Sequence, residues 1–203
     1  MNYLAHMVVG HWAGLDEKGV LGNFMGDAVK GRDVEGMWGV DVGRGIRLHR
    51  AIDDVSDRHE ASREARKLLR ETCGKWSGVV WDVLVDHVLA QDFECLATGC
   101  GALTAFAGSH EAILAAQRET MPERSRRFFD AMVSHGWLVG YGARCCVSGG
   151  RRSTWLAPAI YMCSTSKTSR ANGWSGPAGL TSSRALCHSP SSHGAVKPLP
   201  VRP

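Results

Sequence analysis

No apolar run in this 203-residue chain approaches the length of a membrane span, which excludes a transmembrane helix and a membrane partner. The opening Met1 to Gly14 also lacks the basic region and long apolar core of a secretory signal, so the sequence points to the cytoplasm. Cysteine pairs at zinc-site spacing are missing too: Cys145 and Cys146 are adjacent, while Cys73, Cys95 and Cys100 are scattered. Such an odd, unpatterned set of seven suits reduced thiols better than a disulfide framework. Nor does any alternating strand pattern compete with helical periodicity. With 44% hydrophobic residues, what remains is one substantial core of helices, in a chain too short for two ordinary domains.

The periodicity predicts helices near Tyr3 to Val9, Gly19 to Lys30, Val40 to Glu71, Ser77 to Glu94, Ala102 to Arg118 and Pro122 to Leu138. Proline at the first turn of the last one, followed by Glu123, is a favourable helix start. Its face of Phe128, Phe129, Met132, Val133, Trp137 and Leu138 reads as core rather than as a cofactor pocket. The expected fold is therefore an all-α helical bundle.

Three segments on this helical frame carry potential chemistry. In Gly45 to Asp57, His49, Asp53 and Asp57 recur at every fourth position and would stack along one helix face. Imidazole and carboxylate donors together suit a divalent cation such as Mn²⁺, Fe²⁺ or Zn²⁺, although charges at this spacing also fit a solvated face. In Val79 to Phe93, Asp82 and Asp86 are again four apart with His87 beside them, amid a stripe of Val79, Val80, Val83, Leu84, Val88 and Leu89. Carboxylates on so apolar a helix need a cation, a basic partner or water at the helix edge. In Leu21 to Gly31, Asn23 and Asp27 share the same spacing, with Gly22 and Gly26 leaving room for close backbone approach. His6 stands alone in an apolar opening, where a hydrogen-bonded core residue is the plainer reading.

Taken in order, Met-Asn-Tyr-Leu-Ala-His at the start, Leu-Gly-Asn-Phe-Met-Gly-Asp, Gly-Ile-Arg-Leu-His-Arg-Ala-Ile-Asp, Asp-Val-Leu-Val-Asp-His and Trp137-Leu138-Val139-Gly140-Tyr141 resemble the acyl carrier protein phosphodiesterases, also called acyl carrier protein hydrolases. The resemblance covers about the first 140 residues. It implies a helical fold distantly similar to the HD-type metal phosphohydrolases and a Mn²⁺-dependent reaction that removes 4′-phosphopantetheine from holo acyl carrier protein. One departure concerns the HD likeness: the chain has no adjacent His-Asp pair in that order, only Asp86-His87.

Carried over by residue, the motif positions are His6, Asn23, Asp27, His49, Asp53, Asp57, Asp82, Asp86 and His87. His6, Asp27, His49 and Asp53 are the expected metal ligands, and Asp57, Asp86 and His87 the candidates to orient them or move a proton. Asn23, Lys30, Arg47 and Arg50 are the candidate substrate contacts, the basic ones for neutralising phosphate charge. Arg63, Arg66, Lys67 and Arg70 form a basic helical surface that would steer an acidic carrier protein; Glu60 and Glu64 dilute it, and pairing within the helix is its simpler use. Two other readings share these residues: an HD-like phosphohydrolase of a nucleotide or other small phosphodiester, and a helical module that binds the carrier without cutting it.

Charge breaks after Asp130. Up to there the chain holds all 20 acidic residues and 16 of the 24 Lys and Arg, a net charge of −4, whereas the remainder carries +8 and six of the seven prolines. Residues 143–203 therefore read as a basic Ser/Gly/Pro-rich tail to a helical domain of residues 1–142. A basic tether for polyanions is one explanation. The abrupt change, with Trp155, Trp174, Cys163 and Cys187 in the tail, favours instead a frameshifted reading of the family's helical C-terminal region, and so no nucleic-acid partner is expected. Helices lost that way would leave Phe128, Met132 or Trp137 open to solvent.

Overall fold

A computed structural model describes residues 3–142. The chain divides into two units, Met1–Ser169 and Arg170–Pro203, and every described residue belongs to the first. Regular structure among the described residues is entirely helical, as the periodicity predicts: α1 (Tyr3–Trp12), α2 (Glu17–Met25), α3 (Val34–Trp38), α4 (Val40–Arg58), α5 (Glu60–Cys73), α6 (Ser77–Gln91), α7 (Phe93–Leu96), α8 (Leu103–Ala116), α9 (Glu123–Ser134) and α10 (Trp137–Gly140). None of these helices is long and apolar enough to cross a membrane. The expected tail and its frameshift lie outside the described residues.

Several boundaries differ from the sequence expectation, each for a local reason. The helix expected over Val40 to Glu71 is two helices, because His59 is extended (φ −62°, ψ 133°) and its Nδ1 accepts from the Ala61 N–H at 3.3 Å, capping α5. Helix α2 ends at Met25, so Asp27 lies in the following turn rather than on a ridge above Asn23. Gly136, at φ 58°, separates α9 from α10. Helix α3 was hidden in a glycine-rich stretch; Asp33 starts it by accepting from the Gly36 N–H at 2.9 Å.

The crossing of α2 and α4 organises the core. A Cβ on Gly22 would sit 2.1 Å from the Val42 carbonyl oxygen, and one on Gly45 would sit 2.0 Å from that of Gly19. Backbone therefore meets backbone, and only hydrogen fits at either position. Every residue of α2 from Gly19 to Met25 is buried as a result. Leu4 and Met7 of α1, Ile46 of α4, Leu114 of α8 and Met132 of α9 complete the interior. Tyr3, Phe24, Phe128 and Phe129 form an aromatic cluster, with Tyr3 and Phe128 stacked at 4.5 Å between ring centroids. Met132 is fully buried and Phe128 and Trp137 are half-buried against this cluster, so none of the three is left open.

Two expectations need correction. The apolar stripe of α6 is not a buried one: only Ser77, Asp86 and Ala90 are buried, and Val79 and Val88 are exposed. Second, Cys73 and Cys95 each take part in a disulfide, whereas Cys100 is a free thiol. Spacing along the chain says nothing about which thiols meet in space.

Candidate metal centre

Gly26 clears the space in which the centre forms. A Cβ there would lie 2.4 Å from Cγ of His49, so the imidazole of α4 rests directly on the end of α2. His49 Nδ1 is 2.7 Å from the Asn23 carbonyl oxygen, and donating its proton there turns Nε2 toward Asp53 Oδ2 at 3.2 Å and Asp27 Oδ1 at 3.4 Å. His6 enters from α1, with Nε2 3.1 Å from Asp53 Oδ1 and its ring 4.2 Å from that of His49. Asp53 thus faces one imidazole with each oxygen. Asn23 links the two histidines, since its Nδ2 donates to the His6 carbonyl at 2.7 Å.

Both imidazoles are buried, while the Asp27 and Asp53 side chains are 37% and 43% exposed, so the cluster opens to water on its carboxylate side. His49 Nε2 is at charge-pair distance from two carboxylates yet aligned for a hydrogen bond with neither. A buried nitrogen without an aligned partner, beside carboxylate oxygens, is the donor set that a divalent cation satisfies. Ligand atoms of His6, His49 and Asp53 all lie within 4.8 Å of one another, and Asp27 adds a further oxygen. The residues therefore fit the cation that the sequence implies.

Without a cation the cluster holds a proton instead. Burial works against the charged form of His49, but the carboxylates of Asp27 and Asp53 outweigh it and raise its pKa to about 9. Asp53, which burial would raise, is held well below the usual carboxylate range by His49 and His6. Asp27 is lowered by its contact with His49, and burial lowers His6. Holding a cation at His49 Nε2 would require this proton to leave, so binding there would be coupled to proton release.

Other residues singled out by spacing have different partners. Arg66 donates to the Asp57 carboxylate and, at 2.7 Å, to the Asp57 carbonyl, tying α5 to α4. Asp86 accepts from the N–H groups of Leu4 and Ala5 at 3.1 and 3.0 Å and so caps the start of α1 just before His6. Burial pushes the Asp86 carboxyl up to about 7, against those two donors. His87 Nδ1 is 2.6 Å from the Tyr141 carbonyl oxygen and anchors the chain after α10. Asp82 is half-buried on the same helix.

Arg50 donates to the carbonyls of Val29 and Gly31 at 3.0 and 2.9 Å, and Arg47 donates to Glu35. Both thus hold the segment that follows Asp27. Lys30 is exposed, its ammonium 3.4 Å from the Asp27 carbonyl oxygen. One residue that spacing did not reveal is His110, buried on α8 and lining a small cavity with His6 and Asn23. A single histidine on an apolar helix carries no periodic signal.

The family model described as acyl carrier protein phosphodiesterase matches residues 1–148. The protein named acyl carrier protein phosphodiesterase from Photorhabdus laumondii is 30% identical over 141 residues, covering 70% of this chain and 69% of its own. Proteins of the same name from Pectobacterium atrosepticum and Salmonella paratyphi A are 31% and 32% identical over 141 residues, 70% of each chain. No solved structure matches. The chain therefore belongs to the acyl carrier protein phosphodiesterase family, hydrolases that act on a phosphodiester.

Proposed function

We propose that this protein hydrolyses the phosphodiester joining 4′-phosphopantetheine to the serine of holo acyl carrier protein, giving apo carrier protein, with Mn²⁺ held by His6, His49, Asp53 and Asp27. The observation that carries the cation reading is His49 Nε2, buried, unaligned with any donor or acceptor, and flanked by two carboxylates. When bound, such a cation polarises phosphoryl oxygens and acidifies a water, which offsets the negative charge that shields a phosphodiester from attack. Attack at phosphorus breaks the bond to the serine oxygen.

The chain's own groups prepare this chemistry. Asn23 fixes the His49 ring through its carbonyl, and Asp53 aligns both imidazoles. Asp86 is a positioning residue, because it fixes the helix start from which His6 projects. Arg50 keeps Lys30 and Asp27 beside the centre by holding Val29 and Gly31, leaving the Lys30 ammonium to meet phosphate charge. On α5, Arg63, Lys67 and Arg70 are the basic residues not committed to Asp57, and they suit docking of an acidic carrier in the cytoplasm.

Incubating the purified protein with holo acyl carrier protein and Mn²⁺, and weighing the carrier by mass spectrometry, tests the proposal. Loss of the phosphopantetheine mass only when Mn²⁺ is present is the expected result. An unchanged carrier mass from folded, Mn²⁺-loaded protein overturns it, and cleavage of a nucleotide diester alone would assign a small-molecule substrate. Reversing Arg63, Lys67 and Arg70 to glutamate should raise KM by about tenfold at low salt with kcat retained. A KM unchanged by reversal would remove α5 from the docking surface.

A further inference from the structure

Two buried atoms beside the centre have no protein partner among the described residues, His6 Nδ1 and Asn23 Oδ1. Their residues are only 2% and 3% exposed, so bulk solvent does not answer them, and leaving either group unpaired is costly. Both residues line the same cavity, which is otherwise closed mainly by apolar groups and by His110, itself 6% exposed. The space suits about one water molecule. We propose that one structural water occupies it, accepting from His6 Nδ1–H and donating to Asn23 Oδ1 and His110 Nε2, and that His110 is thereby a positioning residue for His6.

The polarity of each atom follows from its neighbours. Asn23 Nδ2 already donates to the His6 carbonyl, so its Oδ1 is the acceptor. His110 Nδ1 lies 3.0 Å from the Phe106 carbonyl oxygen and must donate there, which leaves Nε2 with a lone pair. For His6 to ligate through Nε2, its proton must sit on Nδ1. One donor and two acceptors are the complement of a single water.

The consequence is control of a tautomer. His6 has a competing form in which Nε2 carries the proton and donates to Asp53 Oδ1, 3.1 Å away, and in that form it cannot ligate. With Nδ1 unprotonated, the water would face three acceptors with two hydrogens. His110 therefore biases His6 toward the ligating tautomer from outside the centre. This inference rests on the reading of His6 as a ligand.

Full-length His110→Phe and His110→Gln test it by two readouts: Mn²⁺ affinity, from the resonance of free aqueous Mn²⁺, and the His6 tautomer in metal-free protein, from its imidazole ¹⁵N shifts. His110→Phe should weaken Mn²⁺ binding about tenfold and move His6 toward the Nε2–H form, whereas His110→Gln, which retains an acceptor, should stay within about threefold of the parent. Unchanged affinity and tautomer in His110→Phe would overturn the proposal, as would an equal loss in both variants, which would indicate packing alone. Should the parent protein bind no Mn²⁺, the ligand reading fails, while the ¹⁵N shifts still decide whether His110 sets the tautomer.

Discussion

Helices α2 and α6 present the same signal in sequence and meet different fates in the fold. Each lies in an apolar stretch with polar residues four apart, Asn23 with Asp27 and Asp82 with Asp86. The first pair reaches the imidazole cluster, whereas Asp86 caps α1 and its neighbour His87 holds the Tyr141 carbonyl. What separates them is glycine. Gly22 and Gly26 let α4 settle on the α2 backbone and bring His49 into reach, whereas a Cβ on Gly78, the glycine of α6, would meet nothing. Ligand spacing therefore marks candidates, and close helix crossing decides among them.

The most severe way to break this comparison is to exchange its two histidines. His49→Ala should lower Mn²⁺-dependent turnover of holo carrier protein by at least about 1,000-fold, about 4 kcal/mol in the barrier, with helical circular dichroism retained. His87→Ala should stay within about tenfold, since it loses an anchor rather than a ligand. An equal collapse in His87→Ala would return α6 to the centre.

Asp86 sharpens the contrast through pH. Its carboxyl titrates at about 7 in the fold against an ordinary value of 3.8, burial being the main cause, opposed by the N–H groups of Ala5 and Leu4 and the chain's amino group and reinforced by Asp82. A raised acid pKa means that the folded protein holds the extra proton, so the associated stability is complete below pH 4 and is lost as pH rises through 7. Urea unfolding of the metal-free protein should show a fall of at most about 4 kcal/mol across that range, and Asp86→Asn should remove this component. A pH profile identical in Asp86→Asn would show that the buried carboxyl contributes nothing to it.

Cation binding should stabilise the α2 side of the molecule. At a hundredfold excess over its dissociation constant, Mn²⁺ should add about 2.7 kcal/mol and raise Tm by roughly 5–10 °C, with reversal by chelator. His49→Ala should show no shift, and a full shift there would place the ion elsewhere. The smallest effects come from glycine itself. Gly45→Ala should destabilise by about 1–3 kcal/mol because its Cβ would meet the Gly19 carbonyl, whereas Gly108→Ala, in an exposed part of α8 with nothing near, should stabilise by about 0.5–1 kcal/mol. Equal unfolding midpoints for the two variants would contradict the close crossing.

Much of the centre was legible because helical periodicity writes itself into residue spacing: His49 and Asp53 share a ridge, and Gly22 and Gly26 advertise close approach. Contacts set by tertiary structure were not legible. Arg50 looks like a phosphate ligand until its guanidinium is seen on the Val29 and Gly31 carbonyls, and Asp57 looks like a third rung above His49 and Asp53 until the bend at His59 delivers Arg66 to it. The all-helical fold could be read from pattern alone, but not the break at His59, where a side chain that tolerates a helix caps one instead. His110 was invisible because its significance lies in a cavity rather than along a helix.

Asn23 joins segments that are far apart in the chain, reaching back 17 residues to His6 and forward 26 to His49. Until both bonds exist, a nascent polypeptide offers only the His49 and Asp53 pair of α4, with His6 still apart. An ion held by both histidines would therefore bind only a chain in which α1 has docked on α2 and α4.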